Sequence, residues 1–104
     1  MPNDVVTLHL EALRKIERGD DGAADRVLGL LLDLNDAYLP GIVERALLFD
    51  RRGEIGTATR LMADVLRRTD HLPLEAPIAG PRELPLRFYR QSAEAFLERR
   101  RASR

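Results

Sequence analysis

Apolar residues in the first two-thirds of the chain recur at spacings of three and four, the period of helices that bury one face. Val5, Leu8, Ala12, Leu13 and Ile16 define a first helix, opened by Asn3 or Asp4 as N-cap and ending near Arg18. The Gly19-Asp20-Asp21-Gly22 turn follows, and its acids suit the positive end of the next helix. That second helix, Ala23 to Leu34, carries Ala24, Val27, Leu28, Leu30, Leu31, Leu32 and Leu34. Apolar nearly all round, it is expected to be the most buried element, covered on both sides. Asn35-Asp36 ends it. A third helix starts around Tyr38 to Pro40, where proline lacks only an N–H that a first turn leaves unbonded. It carries Ile42, Ala46 and Phe49 and stops at Arg52-Gly53; the fourth runs from Glu54 to about Thr69 with Ala58, Leu61, Met62, Val65 and Leu66 inward.

Residues 70–85 break the period. Pro73, Pro77, Pro81 and Pro85 fall at every fourth position, interleaved with Leu72, Leu74, Ile78 and Leu84. Proline at this density excludes helix and favours extended, polyproline-like backbone. At about 3 Å per residue such a segment reaches across a helix layer, and its apolar residues place it on the protein surface. Pro85 then opens a fifth helix, Leu86 to roughly Arg101, with Phe88, Tyr89, Ala93, Phe96 and Leu97 as one apolar stripe.

Shifted by 34 residues, the first helical hairpin finds a copy of itself. Nine pairs are identical between residues 5–36 and 39–70: Ala12/Ala46, Leu13/Leu47, Arg18/Arg52, Gly19/Gly53, Gly22/Gly56, Ala24/Ala58, Arg26/Arg60, Leu32/Leu66 and Asp36/Asp70. Leu8/Ile42, Val27/Leu61, Leu28/Met62 and Leu31/Val65 keep apolar character. This period, with small residues at fixed points in both helices, resembles the tetratricopeptide repeat. The resemblance covers residues 5–70 and implies an all-α fold: a short αα-hairpin solenoid of about five helices in a single domain, residues 1–104. Repeat 1 spans about 5–36 and repeat 2 about 39–70, followed by the proline-rich segment 70–85. The last helix, 86–101, reads as the terminal element that closes a solenoid, with Ala93 and Phe96-Leu97 like the remnant of a third repeat. Lys15 stands where the second repeat has Phe49, and Glu11 and Arg45 occupy a position usually apolar in the family. A generic five-helix bundle is the alternative fold.

Charge adds a polarity along the chain. The 17 basic and 17 acidic residues balance, but residues 1–36 hold eight acids against four bases, and residues 82–104 three acids against seven bases. An acidic front and a basic rear favour mutual association, or are simply solvated helix faces. No apolar run approaches the eighteen residues of a membrane span, and Met1-Pro2-Asn3-Asp4 is no secretory n-region. A cytoplasmic location is expected.

Chemistry-bearing patterns are sparse, and neither enzyme activity nor a cofactor is expected. There is no cysteine, hence no disulfide, thiol nucleophile or cysteine-based zinc site. His9 and His71 lack metal-ligand spacing, and His9 reads as a surface histidine or a partner contact. Asp20, Asp21 and Asp25 lack the ligand register and twelfth-position glutamate of a calcium loop and read as turn residues. Lys15 is the only lysine and follows no glycine-rich loop, which excludes a phosphate-binding loop.

The resemblance implies a binding surface instead. In tetratricopeptide proteins the first helix of each repeat lines a concave groove that receives an extended peptide or a helix. Carried onto this chain, those positions are Val6, His9, Leu13, Ile16 and Glu17, then Pro40, Val43, Leu47, Asp50 and Arg51. Members that grip a terminal carboxylate use Lys and Asn there. His9, Leu13, Val43 and Leu47 at the comparable places argue against that subtype. An exposed patch of Val6, Leu13, Ile16, Val43 and Leu47 needs a cover: a foreign peptide, a second copy, or the proline segment. The expected function is a non-enzymatic adaptor, scaffold or small chaperone. A self-associating homodimer is the alternative, and nucleic-acid binding through Arg82, Arg87, Arg90 and the Arg99–Arg104 tail ranks below both.

Overall fold

Asp4 opens the first helix: its carboxylate accepts the Thr7 backbone N–H at 2.8 Å and the Thr7 hydroxyl at 3.1 Å. The computed structural model describes residues 4–102, so Asn3, the alternative cap, and the Ser103-Arg104 end of the basic tail lie outside the described residues. Five helices follow in order: α1 (Val5–Glu17), α2 (Asp21–Leu34), α3 (Leu39–Arg51), α4 (Ile55–Thr69) and α5 (Leu86–Ala102). Helix α2 begins two residues earlier than its apolar pattern does, because Asp20 takes the Ala23 N–H at 3.1 Å and caps it.

The α1–α2 and α3–α4 turns close alike. Gly19 and Gly53 adopt φ of +77° and +83°, the left-handed conformation that glycine reaches without a Cβ clash. Just beyond each, an N–H reaches back five residues to the preceding helix, Asp20 to Lys15 O at 2.9 Å and Glu54 to Phe49 O at 2.8 Å. The aligned alanines Ala12, Ala46, Ala24 and Ala58 are all fully buried, so small side chains sit where paired helices press together. Leu8 and Ile42, Leu28 and Met62, and Leu31 and Val65 are likewise buried in both hairpins.

Two cores result. Leu8, Ala12, Ala24, Leu28 and Leu31 pack between α1 and α2 with Tyr38 and Leu48. A larger one gathers Ile42, Val43 and Ala46 of α3, Ala58, Met62 and Val65 of α4, and Leu86, Tyr89, Ala93 and Phe96 of α5. The molecule measures 39 × 32 × 20 Å, and its thinnest dimension equals two helix diameters of about 10 Å. Helix α3 is therefore the central element, with seven buried residues against three on α2. This corrects the expectation for α2: Leu30 and Leu34 stand 52% and 55% exposed. Its main helical neighbours are α1 and α3, so its apolar circumference outruns what they cover.

The acids after the first turn join helices rather than shape the turn. Arg51 clamps the Asp21 carboxylate at 2.8 and 3.2 Å, and Arg45 donates to Asp25 at 3.0 Å while lying over the Phe49 ring. The Arg45 guanidinium thereby lies between α2 and α3, beside Gly29. Glu11 sits 3.7 Å from Lys15 one turn on.

The proline segment does not run extended across a layer. It folds back, Pro77 facing Pro85, with Ile78 N–H to Leu84 O at 3.1 Å and Leu86 N–H to Ala76 O at 2.8 Å. The two prolines occupy a pair position whose residues exchange no hydrogen bonds, so their missing N–H groups cost nothing. Ala76, Ile78 and Leu84 pack on the larger core, whereas Leu72 and Leu74 are exposed.

Helix α5 is fastened by its arginines. Arg90 donates to Leu66 O at 2.9 Å, to Thr69 Oγ1 at 2.7 Å and to Asp70 at 3.2 Å, binding the C-terminal end of α4. Arg100 bonds Asp50, Arg87 bonds Glu75 at 2.9 Å, and Arg101 bonds Glu98 at 3.3 Å. Much of the basic rear is thus engaged within the chain. Phe88 departs from the predicted stripe at 45% exposed. Among the described residues no helix is long and apolar enough to cross a membrane.

Candidate binding cleft

Four elements converge on one concavity of about 250 Å³. Helix α1 contributes His9 and Leu13, one turn apart on the same face. From α3 come Pro40, Val43 and Glu44, again at helical spacing, and from α5 the neighbours Phe88 and Tyr89. Pro81, Arg82 and Leu84, at the tip of the folded-back proline segment, form the remaining wall. The tip sits close because Gly80 has no side chain. A Cβ there would lie 3.2 Å from the Pro40 ring, 3.6 Å from the Tyr38 hydroxyl and 3.8 Å from the Tyr89 hydroxyl. Glu83 completes the tip at φ +47°, a conformation that costs a non-glycine residue about 1–2 kcal/mol.

His9 is 95% buried, not the surface histidine that its sequence context suggested: its exposure is 5%. Its Nδ1 lies 2.9 Å from the Tyr38 hydroxyl, the two rings meeting edge to face at 5.6 Å. Its Nε2 is buried with no hydrogen-bond partner. Burial pushes the imidazole below its ordinary pKa and keeps it neutral at pH 7. It pushes the Tyr38 hydroxyl up to about 12 and the Tyr89 hydroxyl upward too, Glu44 adding to the latter. Burial likewise raises the Glu44 carboxyl, opposed by the charge of Arg51.

Of the predicted groove residues, His9, Leu13, Pro40 and Val43 come together in this cleft. The others do not. Ile16 packs against the α1–α2 core, Val6 is half-buried outside the lining, and Leu47 is 36% exposed beyond it. Asp50 is held by Arg100, and Arg51 by Asp21. The predicted exposed patch of Val6, Leu13, Ile16, Val43 and Leu47 does not form, since Val43 is only 9% exposed. The proline segment covers part of that face as a wall rather than a lid.

Sequence reasoning missed Glu44, Pro81, Arg82, Leu84, Phe88 and Tyr89. Glu44 was within reach, because Pro40, Glu44 and Leu47 share one helical face. The wall residues had no local signal. Among the described residues no three His, Cys, Asp or Glu side chains converge as metal ligands. Comparisons of this chain with protein-family models, with curated proteins and with solved structures give no match.

Proposed function

We infer that this chain is a non-enzymatic interaction module, a tetratricopeptide-like pair of hairpins closed by α5, which holds a peptide or helix of another protein. The observation that carries this reading is the cleft: Leu13, Pro40 and Val43, from the first helix of each hairpin, line one concavity with the exposed ring of Phe88. The matching glycine turns and buried alanine pairs at 34-residue spacing support the repeat reading. Burial of a partner's apolar side chains there supplies roughly 25 cal/mol per Å². A module of this kind fits a cytoplasmic setting.

The test is selection of peptides from a random library on the full-length chain. Binding should fall at least tenfold in Leu13→Glu, with helicity retained, and stay unchanged in Leu47→Glu, which lies outside the cleft. Binding indifferent to Leu13→Glu refutes the reading. Self-association is a second reading, favoured by the exposed Leu30 and Leu34 on α2. Light scattering on a sizing column across a concentration range separates the two. A dimer that Leu30→Glu dissolves supports it, and a monomer at every concentration removes it. Nucleic-acid binding ranks lowest, because Arg87, Arg90, Arg100 and Arg101 already donate within the chain.

A further inference from the structure

Glu44 is the unusual member of the cleft. It is a half-buried carboxylate on α3, and among the described residues it makes no hydrogen bond or ion pair. Arg51, the cation whose charge reaches it, is clamped bidentately on Asp21. A half-buried carboxylate is only partly hydrated, and an incoming cation offsets the hydration it has lost. The aromatic side chains of Phe88 and Tyr89, whose rings meet edge to face at 5.3 Å, line the same cleft, and aromatic faces favour cations and the methylene stems that carry them.

The volume, about 250 Å³, falls below the range of about 300–1,000 Å³ typical of pockets for whole small ligands, so a single side chain suits it better. An anion fits poorly: Arg82 is the lining cation, it is exposed to water, and an anion beside it would face Glu44.

We propose that the cleft is a subsite for one basic side chain, arginine or lysine, of a bound peptide, with Glu44 taking the cationic head and Phe88 and Tyr89 flanking the stem. This rests on the peptide-binding reading above. Arg82 is then the repulsive element at the rim, which tunes affinity downward.

The probes are capped tripeptides, acetyl-Ala-X-Ala-amide with X arginine, lysine, norleucine or glutamate, together with free arginine amide, titrated into the full-length chain by NMR. Arginine and lysine tripeptides should shift the Phe88, Tyr89 and His9 resonances and bind at least tenfold tighter than the norleucine or glutamate ones. Glu44→Gln should weaken the arginine tripeptide at least tenfold and leave the norleucine one unchanged, and Arg82→Ala should tighten the arginine one. In the unmodified chain, saturation with the arginine tripeptide should lower the titration midpoint of the Glu44 carboxyl carbon, a readout independent of whether any variant folds. Norleucine binding equal to arginine would leave the apolar groove standing and overturn the cation subsite. Preference for glutamate, an unmoved Glu44 midpoint, or free arginine amide binding as tightly as the tripeptide overturns it too. Failure of every tripeptide to bind at millimolar concentration removes both the subsite and the groove reading.

Discussion

Gly41→Ala sets a local gain against a tertiary loss at the centre of the fold. Gly41 is the third residue of α3, and alanine there is the better helix former by up to about 1 kcal/mol. The new methyl carbon, however, would lie 2.9 Å from Leu31 Cδ2, 3.1 Å from Tyr38 Cδ2 and 3.4 Å from Leu32 Cδ2. Ordinary carbon contacts are about 3.5–4.0 Å, so two neighbours must each retreat by roughly half an ångström or more. Neither is free to do so. Leu31 is fully buried in the α1–α2 core, and Tyr38 is held by His9. Overpacking of this kind costs about 1–3 kcal/mol, and the packing loss wins: the variant should be about 1 kcal/mol less stable. Gly56→Ala is the control. It is the second residue of α4, exposed, with nothing within 4 Å of the added carbon, so it should gain a few tenths to about 1 kcal/mol. Urea unfolding reads both, with unchanged m-values confirming that stability alone has moved. The melting temperatures should separate by about 4–8 °C for each kcal/mol of difference. A Gly41→Ala protein as stable as the unmodified chain, or both variants shifting in the same direction, refutes the claim that α2 and α3 meet at Gly41.

Two further perturbations address the α4–α5 junction and the buried histidine. Arg90→Met should cost about 1–3 kcal/mol by leaving the Leu66 carbonyl and Thr69 hydroxyl short of a donor, and should lower hydrogen-exchange protection at the start of α5; unchanged protection there contradicts the staple. Because the folded-state pKa of His9 lies below its unfolded value of 6.5, the unfolded state binds the extra proton. Stability therefore falls as pH drops below about 6.5 and levels off below the folded pKa. Glu44, with a raised folded pKa, acts in the opposite direction as pH nears 4.5, so the comparison that isolates the histidine is with His9→Gln. That variant should lose less stability between pH 7 and 5 than the unmodified chain, and an equal loss means that His9 does not govern this window.

The four helices of the two hairpins were legible because the information that makes them is local. The 3.6-residue period, the Asp4 and Asp20 caps and the glycine turns act within a few residues and need no knowledge of neighbours. The repeat comparison then located the alanines where helices press together. The burial of α2 was misjudged for a different reason. Its residues state which faces tolerate burial, and only the placement of α1 and α3 states which faces receive it. His9 was misread likewise, since its partner Tyr38 lies 29 residues on and nothing near His9 announces it.

The cleft divides along the same line. The sequence by itself determined that the chain is helical, that residues 5–70 carry one hairpin pattern twice, and that Leu13, Pro40 and Val43 lie within the first helix of each pattern. Periodicity and small-residue spacing follow from backbone geometry alone. Only the tertiary structure decided that the proline segment doubles back at Pro77 and Pro85, that Gly80 lets its tip rest on α3, and that Phe88 and Tyr89 close the far side. Those contacts join residues tens of positions apart, and their geometry comes from the packing of whole elements, which no local pattern encodes. Glu44 acquires its meaning from that packing: on an isolated helix it is one more solvated acid, and in the cleft it is a half-buried carboxylate with no direct hydrogen bond or ion pair among the described residues.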